Sequence, residues 1–509
     1  MLAGAARFPT VARSLSLLGS SLLLMASSVL GDQSLPDLVK HDDRDAALSL
    51  IAAGADVNER SLDGTTALHW AAHRSDRQLV KVLLEHGADV TVRNDYGATP
   101  ISAAAVEGDY DVIEALLDAG ADIESPNAEG QTTLMVVART GRVDAARLLL
   151  ERGADIDATE GWGGQSALMW AAAQKQPEMI RLLVEHGGDV DARGRAHDWQ
   201  RRVTAEPRIK IMDTGGFTPL LYAARAGCVE CIEALVAAGA DIDLSDPYGV
   251  TPLILALLNR HFDTAARLVE LGADIDKWDW WGRSPLFVAI DLNRVPNSSR
   301  GDLPSLDVST GLDVARMLLE RGANVNMRLK QQPPMRNPPN DRGSLDGSPD
   351  AFVIAIGATA LHSAAKASDD EAIRLLLDYG ADITLSNVFG ITPMLAAAGV
   401  GHRYAVLRET PIRGAYKTGE DALATIEILF EAGADLDDVG MGTNRIGGQT
   451  LAHGAAGEGW SEVIAFLDEL GIDIDAPSED GSTPRDVALA AGRHETVALI
   501  DERLAQGAQ

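Results

Sequence analysis

The sequence predicts an all-helical repeat solenoid, in which short modules of two helices and an extended finger stack in chain order. A Gly-Ala-Asp-apolar signature recurs along the chain, and its first steps are 33 residues long. A Ser or Thr stands at the start of every module after the first, where a helix N-cap is needed. Within each module the apolar residues recur at helical spacing and form faces that one module cannot bury alone. Copies on both sides must therefore cover those faces.

Residues 249–282 show the module most clearly. Thr251 followed by Pro252 predicts a helix N-cap with proline in the first turn. A second helix opens near Asp263 and ends at Gly272, because glycine accepts the left-handed backbone that closes a helix. A short extended finger comes next and turns back before the next module begins.

The same pattern repeats along the rest of the chain. The signature begins at Gly54, Gly87, Gly120, Gly153, Gly187, Gly239, Gly272, Gly322, Gly380, Gly433 and Gly471. The predicted caps are Thr66, Thr99, Thr132, Ser166, Thr218, Thr251, Ser284, Thr359, Thr392, Thr450 and Thr483. The first helix of each module, helix A, is rich in alanine, and the second, helix B, carries larger apolar residues. Neighbouring A helices are therefore expected to approach closely.

A 33-residue period with Thr-Pro-Leu-His-like openings resembles the ankyrin repeat, and the resemblance extends from about residue 34 to residue 505. It implies two antiparallel helices and a β-turn finger in each module, about twelve modules in all. It also implies that fingers and A helices line a concave side used for binding, and that His69 and His362 organise the finger by hydrogen bonds. The chain also resembles the exported bacterial ankyrin proteins that carry long insertions.

The module boundaries divide the chain into four parts. We expect a signal peptide at 1–31, regular repeats at 32–192, repeats with insertions at 193–481 and a C-terminal cap at 482–509. The predicted insertions are 193–215, 293–310, 328–357, 400–419 and 439–448. Three of them extend fingers, and the other two lie between helices A and B. Segment 193–215 is basic within an acidic protein, so it either binds an anionic partner or folds back onto neighbouring acidic fingers.

The net charge argues against two classes of binding partner. The formal charge is −31, and a surface of that sign repels nucleic acid and anionic membranes. We therefore expect neither as a partner. Much of the acid lies in the finger aspartates, which favours a solvated surface along the whole stack over an acidic recognition face.

The N-terminus has the pattern of a secretory signal peptide. Residues 1–31 hold Arg7 and Arg13 without an acid, then an apolar run and small residues. Cleavage after residue 31 is expected, with residue 28 as the alternative. An uncleaved membrane anchor is the competing interpretation, but the run is short for a span and diluted by serines. We expect an exported monomer, periplasmic or secreted, with no membrane association after cleavage.

Large aromatic residues crowd the predicted fingertips. Three tryptophans of one finger stand within four positions of each other, and comparable tips also carry rings. The predicted partner-binding residues are Tyr96, Trp162, Trp199, Tyr248, Trp278, Trp280, Trp281 and Phe389. Rings of this size suit interface hot spots, although each one alone is also compatible with packing on the next finger.

No catalytic, cofactor or metal-binding residues are predicted. Cys228 and Cys231 form the only Cys-x-x-Cys, which we expect to have a structural role, bridged or free, rather than a redox one. No nucleophile elbow, phosphate loop or metal-ligand spacing is present. The sequence therefore predicts a non-enzymatic module that binds another protein on its concave finger and helix A surface. The alternative is a ligand-binding or enzymatic protein whose insertions 193–215, 328–357 and 400–420 enclose a pocket beside Trp280.

Overall fold

The computed structural model describes residues 34–203, 210–293, 307–331, 333, 353–401, 417–441 and 446–507, and of 197–203 and 210–214 the backbone alone. The chain divides into two compact units, Met1–Gly161 and Trp162–Gln509. Each unit is described by itself. The predicted signal peptide lies outside the described residues.

The first unit consists of consecutive helix pairs. Its helices are α1 (Leu35–Lys40), α2 (Arg44–Ala52), α3 (Ala67–His73), α4 (Arg77–Glu85), α5 (Pro100–Glu107), α6 (Tyr110–Asp118), α7 (Thr133–Thr140) and α8 (Val143–Glu151). The A helices α1, α3, α5 and α7 pack on one another in chain order, and so do the B helices α2, α4, α6 and α8. Buried alanines such as Ala71 and Ala104 line the A helices, and buried leucines such as Leu83 and Leu116 line the B helices.

The second unit repeats this arrangement with longer connections. Its helices are α9 (Ala167–Ala173), α10 (Pro177–Glu185), α11 (Pro219–Ala226), α12 (Val229–Ala237), α13 (Pro252–Leu258), α14 (Phe262–Glu270), α15 (Pro285–Asp291), α16 (Gly311–Glu320), α17 (Ala360–Ala367), α18 (Asp370–Asp378), α19 (Pro393–Ala397), α20 (Gly419–Glu431), α21 (Leu451–Glu458), α22 (Ser461–Glu469), α23 (Pro484–Ala490) and α24 (His494–Gly507). Its A helices, the odd-numbered ones, also pack in chain order. The predicted all-helical repeat is therefore confirmed.

One insertion adds regular β-structure that the sequence did not predict as strands. Strand β1 (Ala196–Val203) pairs antiparallel with β2 (Lys210–Gly215), and Ala196 lies opposite Gly215. The register shifts between His197 and Arg201. This hairpin lies within the predicted insertion 193–215.

The helix starts agree with the predicted caps. All eleven Ser and Thr residues are N-caps of A helices. In most of them the hydroxyl accepts a hydrogen bond from the amide three residues later, as Thr251 does from Ile254 at 3.2 Å. Each such bond satisfies an amide that the helix leaves without an internal partner.

Three caps are tied to the next module by a histidine. In His362 one ring nitrogen, Nδ1, lies 2.9 Å from the Thr359 hydroxyl, and the other, Nε2, lies 2.9 Å from the Ile391 carbonyl. His69 makes the same bridge to Ala98, as the resemblance implied. His453 makes it to Ser482, which the sequence reasoning missed. The signal was available, because each histidine stands three residues after its cap.

Candidate functional site

Successive fingers are joined by backbone hydrogen bonds. The fingers turn at glycines with positive φ, which we call turn glycines. In several fingers the residue two positions before the turn glycine donates its amide to the preceding finger. In the first unit the amide of Asp95 donates to the Asp63 carbonyl at 2.9 Å. In the second unit Trp280 donates to Tyr248 at 2.8 Å, and Val388 to Ile356 at 2.8 Å. We call this series of hydrogen bonds the finger ladder. It sets the position of these fingertips relative to the preceding finger.

The finger insertions preserve this ladder. Arg195 donates to the Gly163 carbonyl at 2.7 Å and accepts from the Gly216 amide at 3.2 Å, so the hairpin β1–β2 continues directly from the fingertip. Lys330 donates to the Trp281 carbonyl at 2.9 Å, and the chain returns to the ladder at Ile356. Both insertions therefore begin after a ladder residue and end before a turn glycine.

The three tryptophans of the 272–282 finger have different environments. The side chains of Trp278 and Trp280 are 42% and 55% exposed. Trp281 is only 6% exposed, because its ring stacks on Tyr248 with centroids 6.1 Å apart and Arg283 lies 4.8 Å from its centroid. Trp281 is therefore the least accessible of the three rings, and its contact with a partner stays a prediction.

Charged groups hold the exposed rings in place. The Nζ of Lys330 lies 3.1 Å from the centroid of Trp278, a cation–π contact. Beneath the rings, buried Asp279 accepts hydrogen bonds from the amides of Trp281 and Arg283 and pairs with the Arg283 guanidinium at 2.7 Å. The fingertip is therefore rigid before any partner arrives.

The other predicted aromatic residues lie in different surroundings. Tyr96, in the first unit, is exposed, and so is Trp162, at 64%, in the second. Tyr248 and Phe389 are half-buried. The backbone of Trp199 lies in strand β1, but its side chain lies outside the described part of the chain. Among the predicted residues of the second unit with described side chains, the exposed rings are thus Trp162, Trp278 and Trp280.

An open groove of about 600 Å³ lies along three segments of the second unit, and one of its lining residues, Lys330, contacts the ring of Trp278. It is lined by Asn324, Asn326, Met327, Arg328, Leu329, Lys330, Ile356, Gly357, Ser386, Asn387 and Val388. Arg328 holds the segments together by donating its Nε to the Gly357 carbonyl at 3.0 Å and a second guanidinium nitrogen to the Ser386 carbonyl. The sequence reasoning did not find this groove, because the segments that form it are separated by an insertion.

The two cysteines are joined in a disulfide. Cys228 is the N-cap of α12, and its Sγ accepts a hydrogen bond from the Cys231 amide at 3.2 Å. Both residues are buried. A buried disulfide offers little access to an attacking thiolate, which favours the structural role over the redox-active one.

A lysine at the end of one insertion lies between two A helices. The Nζ of Lys417 donates to the carbonyls of Ala397 at 2.7 Å and Ala365 at 3.1 Å, and it lies 5.0 Å from the Trp460 centroid. Burial lowers the pKa of Lys417 to about 7, although Glu458 and two aspartates oppose that shift. Both carbonyls belong to helix C-terminal turns, where a cation is stabilising. The arrangement explains a packing role, and the hydrogen bonds hold the amine away from any nucleophilic use.

The alternative of a pocket enclosed by insertions stays a prediction. The central parts of the segments 193–215, 328–357 and 400–420 lie wholly or in part outside the described residues. Among the residues that are described, no group of three or more His, Cys, Asp or Glu side chains is placed to hold a metal ion. None of the described helices is both long enough and apolar enough to span a membrane.

Comparison with known proteins identifies the repeat. A family model for ankyrin repeats (3 copies) matches residues 37–127, 123–194, 202–279 and 220–328, and a model for ankyrin repeats (many copies) matches 361–408. Among solved structures, the human ASB11 ankyrin repeat domain is 25% identical over 48% of this chain and 99% of that chain, with a TM-score of 0.40. No curated protein matches the chain.

Ankyrin repeats are in general protein–protein interaction modules, and the fold is typically a binding scaffold without catalytic activity. The first of the two family models alone matches more than half of the residues. Together with the capped helix pairs and the finger ladder, this match shows that the chain belongs to the ankyrin-repeat family.

Proposed function

We propose that this protein is an exported ankyrin-repeat module that binds a protein partner through the fingertips and A helices of its second unit. The observation that carries the proposal is the exposure of Trp162, Trp278 and Trp280. Large aromatic residues are enriched among interface hot spots, where a few buried rings supply most of the binding energy. Exposed rings on the fingers of a repeat protein therefore favour a binding face.

The rigidity of the fingertip supports the same proposal. The Trp280 amide is fixed by the Tyr248 carbonyl, and the Trp278 ring is held beneath Lys330. A side chain already held in one position loses less entropy when it is buried in a complex. These contacts thus prepare the rings for binding rather than for packing within the chain.

The export part of the proposal is supported by the N-terminal sequence and by the joined cysteines. Arg7 and Arg13 followed by an apolar run are typical of a secretory signal peptide. Disulfides persist in oxidising compartments such as the periplasm. Mass spectrometry of the mature N-terminus and cell fractionation test this part directly.

The binding proposal is tested by affinity capture from a periplasmic extract. Wild type is compared with a Trp278→Ala/Trp280→Ala variant, and Tyr379→Ala is the matched control, since Tyr379 is an exposed ring at the end of helix B. We expect at least tenfold less captured partner with the double variant and unchanged capture with the control. Equal capture by all three proteins would remove the proposed face.

A further inference from the structure

The first seven residues of the finger after Gly322 differ in charge from those of every other finger. In ten of the eleven signatures an aspartate stands two residues after the glycine, but here that position is Asn324. From that position the seven-residue segment holds Arg328 and Lys330 and no acid. The corresponding seven residues of each other module have a formal charge of zero or below. In a chain of charge −31 this segment is thus locally positive.

That finger forms one wall of the groove beside Trp278. No aspartate or glutamate is among the groove's lining residues. Arg328 and Lys330 are exposed, and neither pairs with a carboxylate in the described part of the chain. The nearby Asp276 is occupied in accepting the Asn324 amide at 2.9 Å. Because screening at physiological ionic strength acts over about 8 Å, the two cations dominate the potential inside the groove.

Apolar side chains also line the groove. Ile356 and Val388 are 43% and 61% exposed, on two fingers joined by a ladder hydrogen bond. The side-chain amide of Asn326 is engaged with the next finger, because it donates to the Gly380 carbonyl at 3.2 Å and accepts from the Asp382 amide at 2.8 Å. A ligand that fills the groove therefore meets two cations and branched aliphatic carbons.

We propose that this groove binds an extended peptide segment of the partner that carries a carboxylate beside an aliphatic or aromatic side chain. The carboxylate pairs with Lys330 and Arg328, and the apolar side chain lies against Ile356 and Val388. This inference rests on the proposed function, since it names the chemistry that part of the binding face recognises.

The test selects peptides without assuming a partner. Random dodecamers displayed on phage are selected on the immobilised full chain, and on Lys330→Glu and Arg60→Glu variants. Arg60→Glu is the matched control, because it makes the same charge change on an exposed finger residue of the first unit. Lys330 joins the ladder through its backbone amide, so its side chain can change without loss of that bond. Circular dichroism melting checks that each variant folds.

We expect wild type to enrich peptides with Asp or Glu next to Leu, Ile, Val or Phe. Fluorescence anisotropy should show about tenfold weaker binding of these peptides to Lys330→Glu and Val388→Asp, and less than twofold change for Arg60→Glu. Replacing the acid of the peptide by its amide should also weaken binding to wild type.

Three results would overturn the inference: no peptide enriched, enrichment without an acid, or equal binding to Lys330→Glu. The affinity-capture experiment distinguishes failure of this inference from failure of the proposed function. If capture depends on Trp278 and Trp280 but not on Lys330, the binding face stands and the groove is not its peptide site.

Discussion

The fingers of residues 34–161 and those of residues 162–507 make the same turn, but two fingers of the second unit carry extra chain after the ladder residue. In the first unit the ladder residue Asp95 stands two positions before the turn glycine Gly97. In the second unit Arg195 and Lys330 occupy the ladder position, and an insertion separates each from its turn glycine. The ladder contact, and not the length of the turn, therefore defines the finger. Insertions are accepted at the tip because they leave the stacked helices untouched.

Neighbouring fingers approach to different distances at different turn glycines, and Gly97 and Gly282 illustrate the range. A Cβ added to Gly97 would have its nearest neighbour at 3.8 Å, whereas one added to Gly282 would lie 2.6 Å from the Lys330 amide. The insertion after Lys330 thus begins from a close backbone contact. A tight fingertip and exposed rings occur together in the second unit, which is why the binding face is proposed there.

The largest effect is expected in acid, at a buried histidine of the second unit. His362 is fully buried, and burial lowers its pKa to about 4. In the unfolded chain the same ring titrates near 6.5, so the unfolded state binds more protons below that pH. The stabilisation from neutral His362 is therefore present above pH 6.5 and is lost as the pH falls toward 4. Between about pH 7 and pH 5 the loss is about 2 kcal/mol.

Amide hydrogen exchange of the peptide 360–367 measures this effect locally, where global unfolding of a long repeat array would not. His362→Gln should have a lower free energy of local opening than wild type at about pH 7. This difference in free energy should decrease by about 2 kcal/mol at about pH 5. His494→Gln, at an exposed position, is the control and should show no such narrowing. If the difference in opening free energy between wild type and His362→Gln is the same at both pH values, His362 does not cause the loss of stability in acid.

The turn glycines give the next largest effect. Gly97 and Gly282 have φ values of 74° and 81°, so alanine is strained at both by about 1 kcal/mol. Gly282→Ala also forces its Cβ against the Lys330 backbone, which adds about 2 kcal/mol of overpacking. Amide hydrogen exchange of each finger and of the A helix that follows it measures the loss of stability caused by each substitution. Equal costs at the two positions would mean that the fingers of the second unit are no more tightly packed than those of the first.

Much of this architecture was predictable from the sequence because it depends on short-range chemistry. A hydroxyl at a helix start needs only the amide three residues later, and all eleven predicted caps were confirmed. His453 was missed although it stands in the same position as His362, because Leu451 and Ala452 reverse the usual order of the residues between cap and histidine.

The site was less predictable because it depends on residues that stacking brings together. Trp280 and Trp281 are neighbours in sequence, and only the ladder decides which ring is exposed. The Trp281 carbonyl accepts from Lys330, which belongs to the next module, and its ring is covered by Tyr248 of the previous one. In the same way, Val388 reaches the groove across an insertion. No pattern within one finger indicates either contact.

The smallest effect is expected from removing the hairpin. Replacing residues 197–214 by Asn-Gly keeps Ala196 opposite Gly215 and supplies a two-residue turn that suits antiparallel strands. Loop-closure entropy changes by about 0.6 kcal/mol for each doubling of loop length, so shortening this segment from 18 residues to two gains about 2 kcal/mol. The lost pairing of β1 with β2 offsets that gain, so the net change in the free energy of unfolding should be no more than about 1 kcal/mol. The converse graft, segment 197–214 in place of Tyr96, should be tolerated to the same extent, since Asp95 keeps its ladder bond to Asp63. Amide hydrogen exchange of the helices that flank each altered finger measures the changes. If the graft destabilises the first unit by several kcal/mol while the deletion does not, tolerance of insertions depends on features of the second unit beyond the ladder.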